Sequence, residues 1–286
     1  MVYQKALQAL STFQSDGELI YERDWDVLIV LDGCRLDLMR EVAPEFGLSP
    51  VDSMVSANTM TKEWMRANFT SDFADEMANT IYVCSNPYSD TELSQGDFET
   101  LDEVWRDQWD DEAGTILPKS VTDRAIVHGR QRETERLIVH YMQPHYPFLG
   151  DNSNGPADLD TEIIIDQIDT TDSSSVWDQL RRGKVSQEDV WEGYGNNLRV
   201  VLESVNVLLN NVDSNNIVIT SDHGNALGEW GIYGHPMNMP LNSLREVPWI
   251  RTESSDSESY QPNIQTEKDT PTESPQDRLS ALGYVE

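Results

Sequence analysis

Cysteine is nearly absent: Cys34 and Cys84 are the only two in 286 residues, they lie far apart, and they form no CxxC pair. That excludes a disulfide framework and a zinc knuckle, and both are expected as buried thiols. Lysine is almost as scarce. Lys5, Lys62, Lys119, Lys184 and Lys268 are the full set, so the 20 basic residues are mostly arginine, set against 51 acidic ones. The resulting formal charge of -31 repels nucleic acid and anionic membrane surfaces. It would also strain a compact state in dilute buffer, whereas at molar salt the Debye length falls to about 3 Å; the balance therefore points to a halophilic, high-salt cytoplasm. Long apolar runs are missing too. None approaches the roughly 20 residues needed to span a bilayer, and the first 26 residues hold no run of signal-peptide length, so a cytoplasmic location is expected. No internal repeat or heptad pattern is present, which argues against a solenoid.

What the chain does have is a set of short, continuous apolar runs rich in β-branched residues: 26–31 (DVLIVL), Thr80–Cys84 (TIYVC), 137–142 (LIVHYM) and 217–220 (IVIT). Such runs suit strands buried on both faces, and helical patterns fall between them. The expected fold is α/β, a doubly wound and mostly parallel sheet with helices on both faces. The clearest helix is expected over 187–212, where Tyr194, Leu198, Val201, Leu202, Val205, Leu208 and Leu209 form an apolar stripe that reads as scaffold. Residues 85–99 look irregular. Residues 251–276 are nearly free of aliphatic side chains and cannot bury enough apolar surface to offset their ordering entropy.

In open α/β sheets ligands collect beyond the carboxyl ends of the strands, so a polar residue directly after an apolar run has a positional reason to be functional. Asp32 follows DVLIVL, and Asp222-His223 follows IVITS. If those strands are neighbours, carboxylate oxygens and an imidazole meet, a donor set for a divalent cation such as Zn2+ or Mn2+; the alternative is that Asp222 and His223 only cap the next turn. Thr59 precedes a helix expected to begin at Thr61 or Lys62, where free backbone N–H groups favour an anionic oxygen; simple capping is the alternative. His145 in PHYPF and His235 in YGHP sit in loops and suit protonation of a leaving oxygen or binding of an anion, or else are solvated loop histidines. Arg35 offers a guanidinium fork to an ester oxygen, or pairs with Asp37 or Asp32. His128 and His140 are read as structural, the first on a surface helix and the second inside a strand.

Taken in order, Asp32 after a buried strand, the Thr59 turn, PHYPF, the long helix with YGNNLRVVLESVNVLL, SDHGN, GEWGIYGH followed by VPWI, and the terminal ALGY resemble the alkaline phosphatase and sulfatase superfamily. The likeness runs from about Trp25 to Ile250 and resumes at Arg278. Within the superfamily, the start DWDVLIVLDGCRLDL and the acidic balance are most similar to sulfatase-like hydrolases of salt-loving archaea. The resemblance implies an alkaline phosphatase-like domain over 25–250, after a lead-in of 1–24 and before a flexible acidic linker of 251–277 and a docking segment of 278–286. It implies metal ligation by Asp32, Thr59, Asp222 and His223, and contact of His145 and His235 with the ester or its leaving group.

The same resemblance implies a metal-dependent hydrolase of sulfate or phosphate esters, acting on a small molecule or glycan through a threonine nucleophile. The CxPxR-like motif of true sulfatases is missing, so no formylglycine is expected. The turn TMTKE looks more like the threonine turn of lipoteichoic acid synthases and phosphoethanolamine transferases, and spacing to Glu63 favours Thr59 over Ser56 and Thr61. No histidine has an aspartate four residues before it, which implies one divalent ion (Mn, Mg, Ca or Zn) and not two. Two alternatives stay open: a phosphoryl-group transferase of the same superfamily, and a catalytically silent member that binds glycan.

Overall fold

Five consecutive apolar residues leave no polar face for solvent, so Val27–Leu31 (β1) has to sit where both faces are covered. It does: each of its side chains is at most 1% exposed, and each contributes about 1.5–3 kcal/mol on burial. The computed structural model describes residues 17–131, 134–149, 175–264 and 274–284. The other strands of the main sheet are β2 (Asp52–Val55), β3 (Thr80–Cys84), β4 (Thr100–Glu103), β5 (Arg136–Tyr141), β6 (Ser214–Thr220) and β7 (Glu246–Ser254). Their spatial order is β2-β7-β6-β1-β5-β3-β4, with β7 antiparallel to both of its neighbours and all other pairings parallel. The fold is thus mixed α/β around a seven-stranded, mostly parallel sheet. Among the described residues no helix is long and apolar enough to cross a membrane.

Helices cover both faces. The main ones are α1 (Leu36–Val42), α2 (Thr61–Asn68), α3 (Pro118–Gln131), α4 (Val176–Arg181), α5 (Gln187–Leu209) and α6 (Pro275–Ala281). Successive residues of β5 point opposite ways: the Tyr141 hydroxyl lies 2.7 Å from that of Thr122 on α3, whereas the ring of His140 lies 5.8 Å from that of Trp64 on α2. α1 and α3 both pack against α5. That helix starts at a reciprocal cap, the Asp189 amide donating to Ser186 Oγ while Ser186 N donates to the Asp189 carboxylate, which satisfies amides that would otherwise be orphaned.

Register places the functional end of the sheet. Val27 pairs with Leu137 and with Ile217, so Leu31, Tyr141 and Thr220 finish side by side, and the loops leaving these three strands emerge at one edge.

Three boundaries differ from the sequence reading. The lead-in is partly core: residues 1–16 lie outside the described residues, but Ile20 and Tyr21 are buried against Trp25 and Phe69. The acidic linker begins later than residue 251, because β7 continues to Ser254, paired with β6 through a register shift between Thr252 and Ser254. Beyond it Arg130 holds the Asp256 carboxylate at 2.7 Å, and Ser257 N donates to Asn210 O. Charge pairing and edge pairing thus order residues that carry no apolar signal. Residues 265–273 of that linker lie outside the described residues, and α6 starts before the expected 278.

Candidate active site

Asp32 leaves the end of β1 and Asp222-His223 the end of β6, and the two carboxylates face each other in a fully buried centre. Asp222 Oδ1 accepts the amides of Gly33 and of His223, both at 2.9 Å. Asp32 Oδ2 accepts Asn86 Nδ2 at 2.7 Å and the Tyr284 hydroxyl at 2.6 Å. Asp32 Oδ1 has no hydrogen-bond partner among the described residues. No guanidinium or ammonium among the described residues reaches either carboxylate. Burial first, and then the charge of Asp222, push the Asp32 carboxyl far above its ordinary range. Burial would raise Asp222 too, but His223 and His140, with the Gly33 amide, hold it low.

Thr61, and not Thr59, enters this centre. Its Oγ1 donates to Asp222 Oδ2 at 2.7 Å and lies 3.4 Å from Asp32 Oδ2 and 3.2 Å from His223 Nε2. Thr61 is the first residue of α2, so its side chain faces the strand ends. The Thr59 hydroxyl, two residues earlier in a bend, is buried the other way, donating to Pro236 O at 2.7 Å and accepting from Met239 N. It pins the loop after His235. Arg35 is likewise turned aside. Its guanidinium bonds both oxygens of Asp37, Glu229 at 2.6 Å and Asn225 O at 2.7 Å; of its two sequence readings, the structure has the pairing with Asp37.

His223 Nδ1 lies 2.9 Å from Gly224 O, which places the ring proton on Nδ1 and leaves Nε2 to face Asp222 Oδ2 at 3.5 Å and Asp32 Oδ1 at 3.8 Å. His145 and His235 come together at the mouth, with Nε2 to Nε2 at 3.0 Å. Since His145 Nδ1 lies 2.6 Å from Tyr146 O and is the donor there, the proton between the rings belongs to His235. Burial pushes His145 down to about 4 and His235 down as well, so both are neutral near pH 7. A cavity of about 280 Å3 opens beside them, lined by Met60, Trp177, Arg181, Tyr233, His235 and Tyr284.

His140, read from the sequence as structural, belongs here. Its Nδ1 is held by the Tyr82 hydroxyl at 2.8 Å, its Nε2 lies 3.8 Å from Asp32 Oδ2 with no hydrogen-bond partner among the described residues, and donor atoms of Asp32, His140 and Asp222 lie within 4.8 Å of one another. No sequence signal marked it, because a strand buried on both faces does not say which face meets the site. Asn86 and Tyr284 were missed for a similar reason: one sits in an irregular stretch, the other on the final segment.

Supports are short and backbone-mediated. Asn197 of α5 donates to Pro144 O and His145 O and accepts Leu149 N, which fixes the loop carrying His145. At Gly33 (φ +66) a Cβ would stand 2.8 Å from Asn225 Nδ2 and 3.4 Å from the His145 ring; only glycine combines that backbone with that approach.

These residues fit a divalent cation. Two buried orphan atoms, Asp32 Oδ1 and His140 Nε2, would each cost about 1–3 kcal/mol without a partner. Oxygen and nitrogen donors about 2 Å from a common ion are themselves about 3–4 Å apart, the separations His223 Nε2 shows to both carboxylates.

The fold is a seven-stranded mixed sheet with the buried cluster at the ends of its parallel strands. Among solved structures the chain is similar to the integral membrane lipooligosaccharide phosphoethanolamine transferase A of Neisseria meningitidis, at 14% identity and TM-score 0.52, over 84% of this chain and 49% of that one. It is also similar to the C-terminal periplasmic domain of EptC from Escherichia coli in complex with Zn, at 13% identity and TM-score 0.50, over 84% of this chain and 76% of that one. A 2-O GAG sulfatase matches at 12% identity and TM-score 0.49, over 79% of this chain and 63% of that one. The chain thus spans about half the length of the Neisseria transferase. No protein-family model and no curated protein matches the chain. At these identities the likeness establishes the fold.

Proposed function

We propose that the protein is a metal-dependent enzyme that cleaves a phosphate or sulfate ester through Thr61. The observation that carries this reading is the placement of the Thr61 hydroxyl, 2.7 Å from Asp222 Oδ2 and 3.2 Å from His223 Nε2, in a buried carboxylate and imidazole cluster with orphaned donor atoms. Asp32, Asp222 and His223 would hold one divalent cation, with His140 as a further donor. When bound, the cation supplies positive charge that stabilises the anionic ester oxygens and lowers the pKa of a nearby hydroxyl.

The remaining work falls to side chains. Thr61 Oγ1 attacks the phosphorus or sulfur, and its proton passes to the Asp222 carboxylate that already accepts it. The leaving oxygen departs toward the mouth, where the neutral His235 ring, held by His145, can hydrogen-bond it while its proton comes from solvent in the cavity. Burial of the centre excludes bulk water from the attack, which strengthens each of these electrostatic contacts. Release of the threonine adduct by water makes a hydrolase; release by an alcohol or sugar makes a transferase. The similar Neisseria structure is a phosphoethanolamine transferase, which keeps transfer to a glycan or lipid acceptor as the second reading.

The test compares wild type, Thr61→Ala and Thr59→Ala on paired aryl phosphate and aryl sulfate esters with Mn2+, Mg2+, Ca2+ and Zn2+ in turn. A chain of charge -31 calls for molar salt in the assay. Turnover is expected to fall by about 10^3-fold or more in Thr61→Ala and to survive in Thr59→Ala. Loss in Thr59→Ala alone would return the nucleophile to Thr59.

A further inference from the structure

We infer that Tyr284 is a positioning residue of the centre: its hydroxyl, delivered by the C-terminal segment, saturates one oxygen of Asp32 so that the other is turned to a divalent cation. The inference rests on the cation reading above and adds a residue that comes from the far end of the chain.

The segment is built to deliver that hydroxyl. Helix α6 begins at a reciprocal cap, the Asp277 amide donating to Ser274 Oγ and Ser274 N to the Asp277 carboxylate. Leu279 and Leu282 are buried in the main core. Arg278 donates to Trp105 O and lies over the rings of Trp105 and Trp109, at 5.6 and 5.2 Å. These contacts bring Tyr284 into the centre, where its ring stacks on His145 with centroids 4.7 Å apart and meets the edges of Tyr88 and His235 at 5.1 and 5.2 Å.

The phenol is therefore held by rings on several sides, and its oxygen has specific partners. It donates to Asp32 Oδ2 at 2.6 Å and accepts Asn86 Nδ2 at 3.1 Å, while Asn86 Nδ2 also donates to Asp32 Oδ2 at 2.7 Å. Oδ2 thus accepts two short hydrogen bonds and Oδ1 none among the described residues. Charge-assisted bonds of this length fix the carboxylate plane, and a carboxylate fixed with one bare oxygen is what an outer layer of donors gives a metal ligand. A hydroxyl that merely plugged the mouth would need no bond to Asp32.

The experiment titrates full-length wild type and Tyr284→Phe with Mn2+ and with Zn2+ by calorimetry in molar salt, and records melting of each without added cation. Phenylalanine keeps the ring stack on His145 and removes only the hydroxyl. Binding is expected to weaken by about 10-fold or more for both ions, with cation-free melting close to wild type. Equal or tighter binding by a folded Tyr284→Phe would overturn the positioning role and make the tyrosine a plug. Should Tyr284→Phe not fold, Asn86→Leu, which removes the other donor to Asp32 Oδ2, is expected to weaken binding in the same way, and unchanged affinity there would overturn the inference. If wild type itself binds neither ion, the cation reading fails and takes this inference with it; if wild type binds and Tyr284→Phe binds alike, only the inference fails.

Discussion

Two clusters of carboxylates with histidine stand among the described residues, and their difference shows what marks a site. On α3 and β4, Asp102 accepts His128 Nε2 at 2.9 Å and Arg124 at 3.2 Å, and Arg124 also reaches Asp107. The cluster is partly exposed, and a guanidinium balances its charge. At the strand ends, Asp32 and Asp222 are wholly buried, face each other without an arginine or lysine, and leave Asp32 Oδ1 and His140 Nε2 without a hydrogen-bond partner among the described residues. Aspartate and histidine occur in both places. What separates them is satisfaction: the first cluster is complete as it stands, and the second is complete only with a ligand.

That contrast can be broken most strongly at Asp222. In Asp222→Asn, cation affinity is expected to fall by about 10^3-fold, or roughly 4 kcal/mol, and the thermal stabilisation that saturating cation gives wild type, about 2.7 kcal/mol at 100 times Kd, should vanish in a melting experiment with and without chelator. His140→Gln tests whether the missed histidine belongs to the centre; a 10- to 100-fold loss of affinity is expected, read by the same titration, and an unchanged value would return His140 to a packing role. Asn197→Ala leaves the loop around His145 without its clamp and strands the Leu149 amide, so a stability loss of about 1–3 kcal/mol is expected in denaturant unfolding, with turnover falling and cation affinity kept. The smallest effect belongs to the satisfied cluster: Asp102→Asn should cost about 1 kcal/mol or less and leave cation binding untouched. A large loss of binding there would erase the distinction between the two clusters.

How far each cluster was legible depended on the kind of information it needed. Asp32 and the Asp222-His223 pair were readable because an apolar run with a polar residue at its end carries both strand and site in one local pattern. Strands β2 and β4 were not, since DSMV and TLDE lie at sheet edges with partly exposed side chains and lack the apolar continuity that marked β1. The start of α2 was legible, expected at Thr61 or Lys62 and found at Thr61; spacing to Glu63 could not say which hydroxyl faces the strands, and two residues of bent chain put Thr59 on Pro236 O and Thr61 on Asp222. His140 needed the phase of a strand buried on both sides, where alternation carries no signal. The return of the C-terminal segment was expected from its resemblance, but that the Tyr284 hydroxyl meets Asp32 is a tertiary fact that no window of sequence contains.

The position of β1 also has a consequence for synthesis. It is the first strand of the sheet to leave the ribosome, yet its partners are β5 and β6, so Val27 waits for Leu137 on one side and Ile217 on the other. Until those are made, VLIVL is an uncharged segment of high strand propensity with two open edges, the kind that pairs with other nascent copies. The longer that strand stays unpaired, the longer it is open to such pairing, and slowing elongation after residue 140 should lower the soluble yield more than the same delay after residue 220.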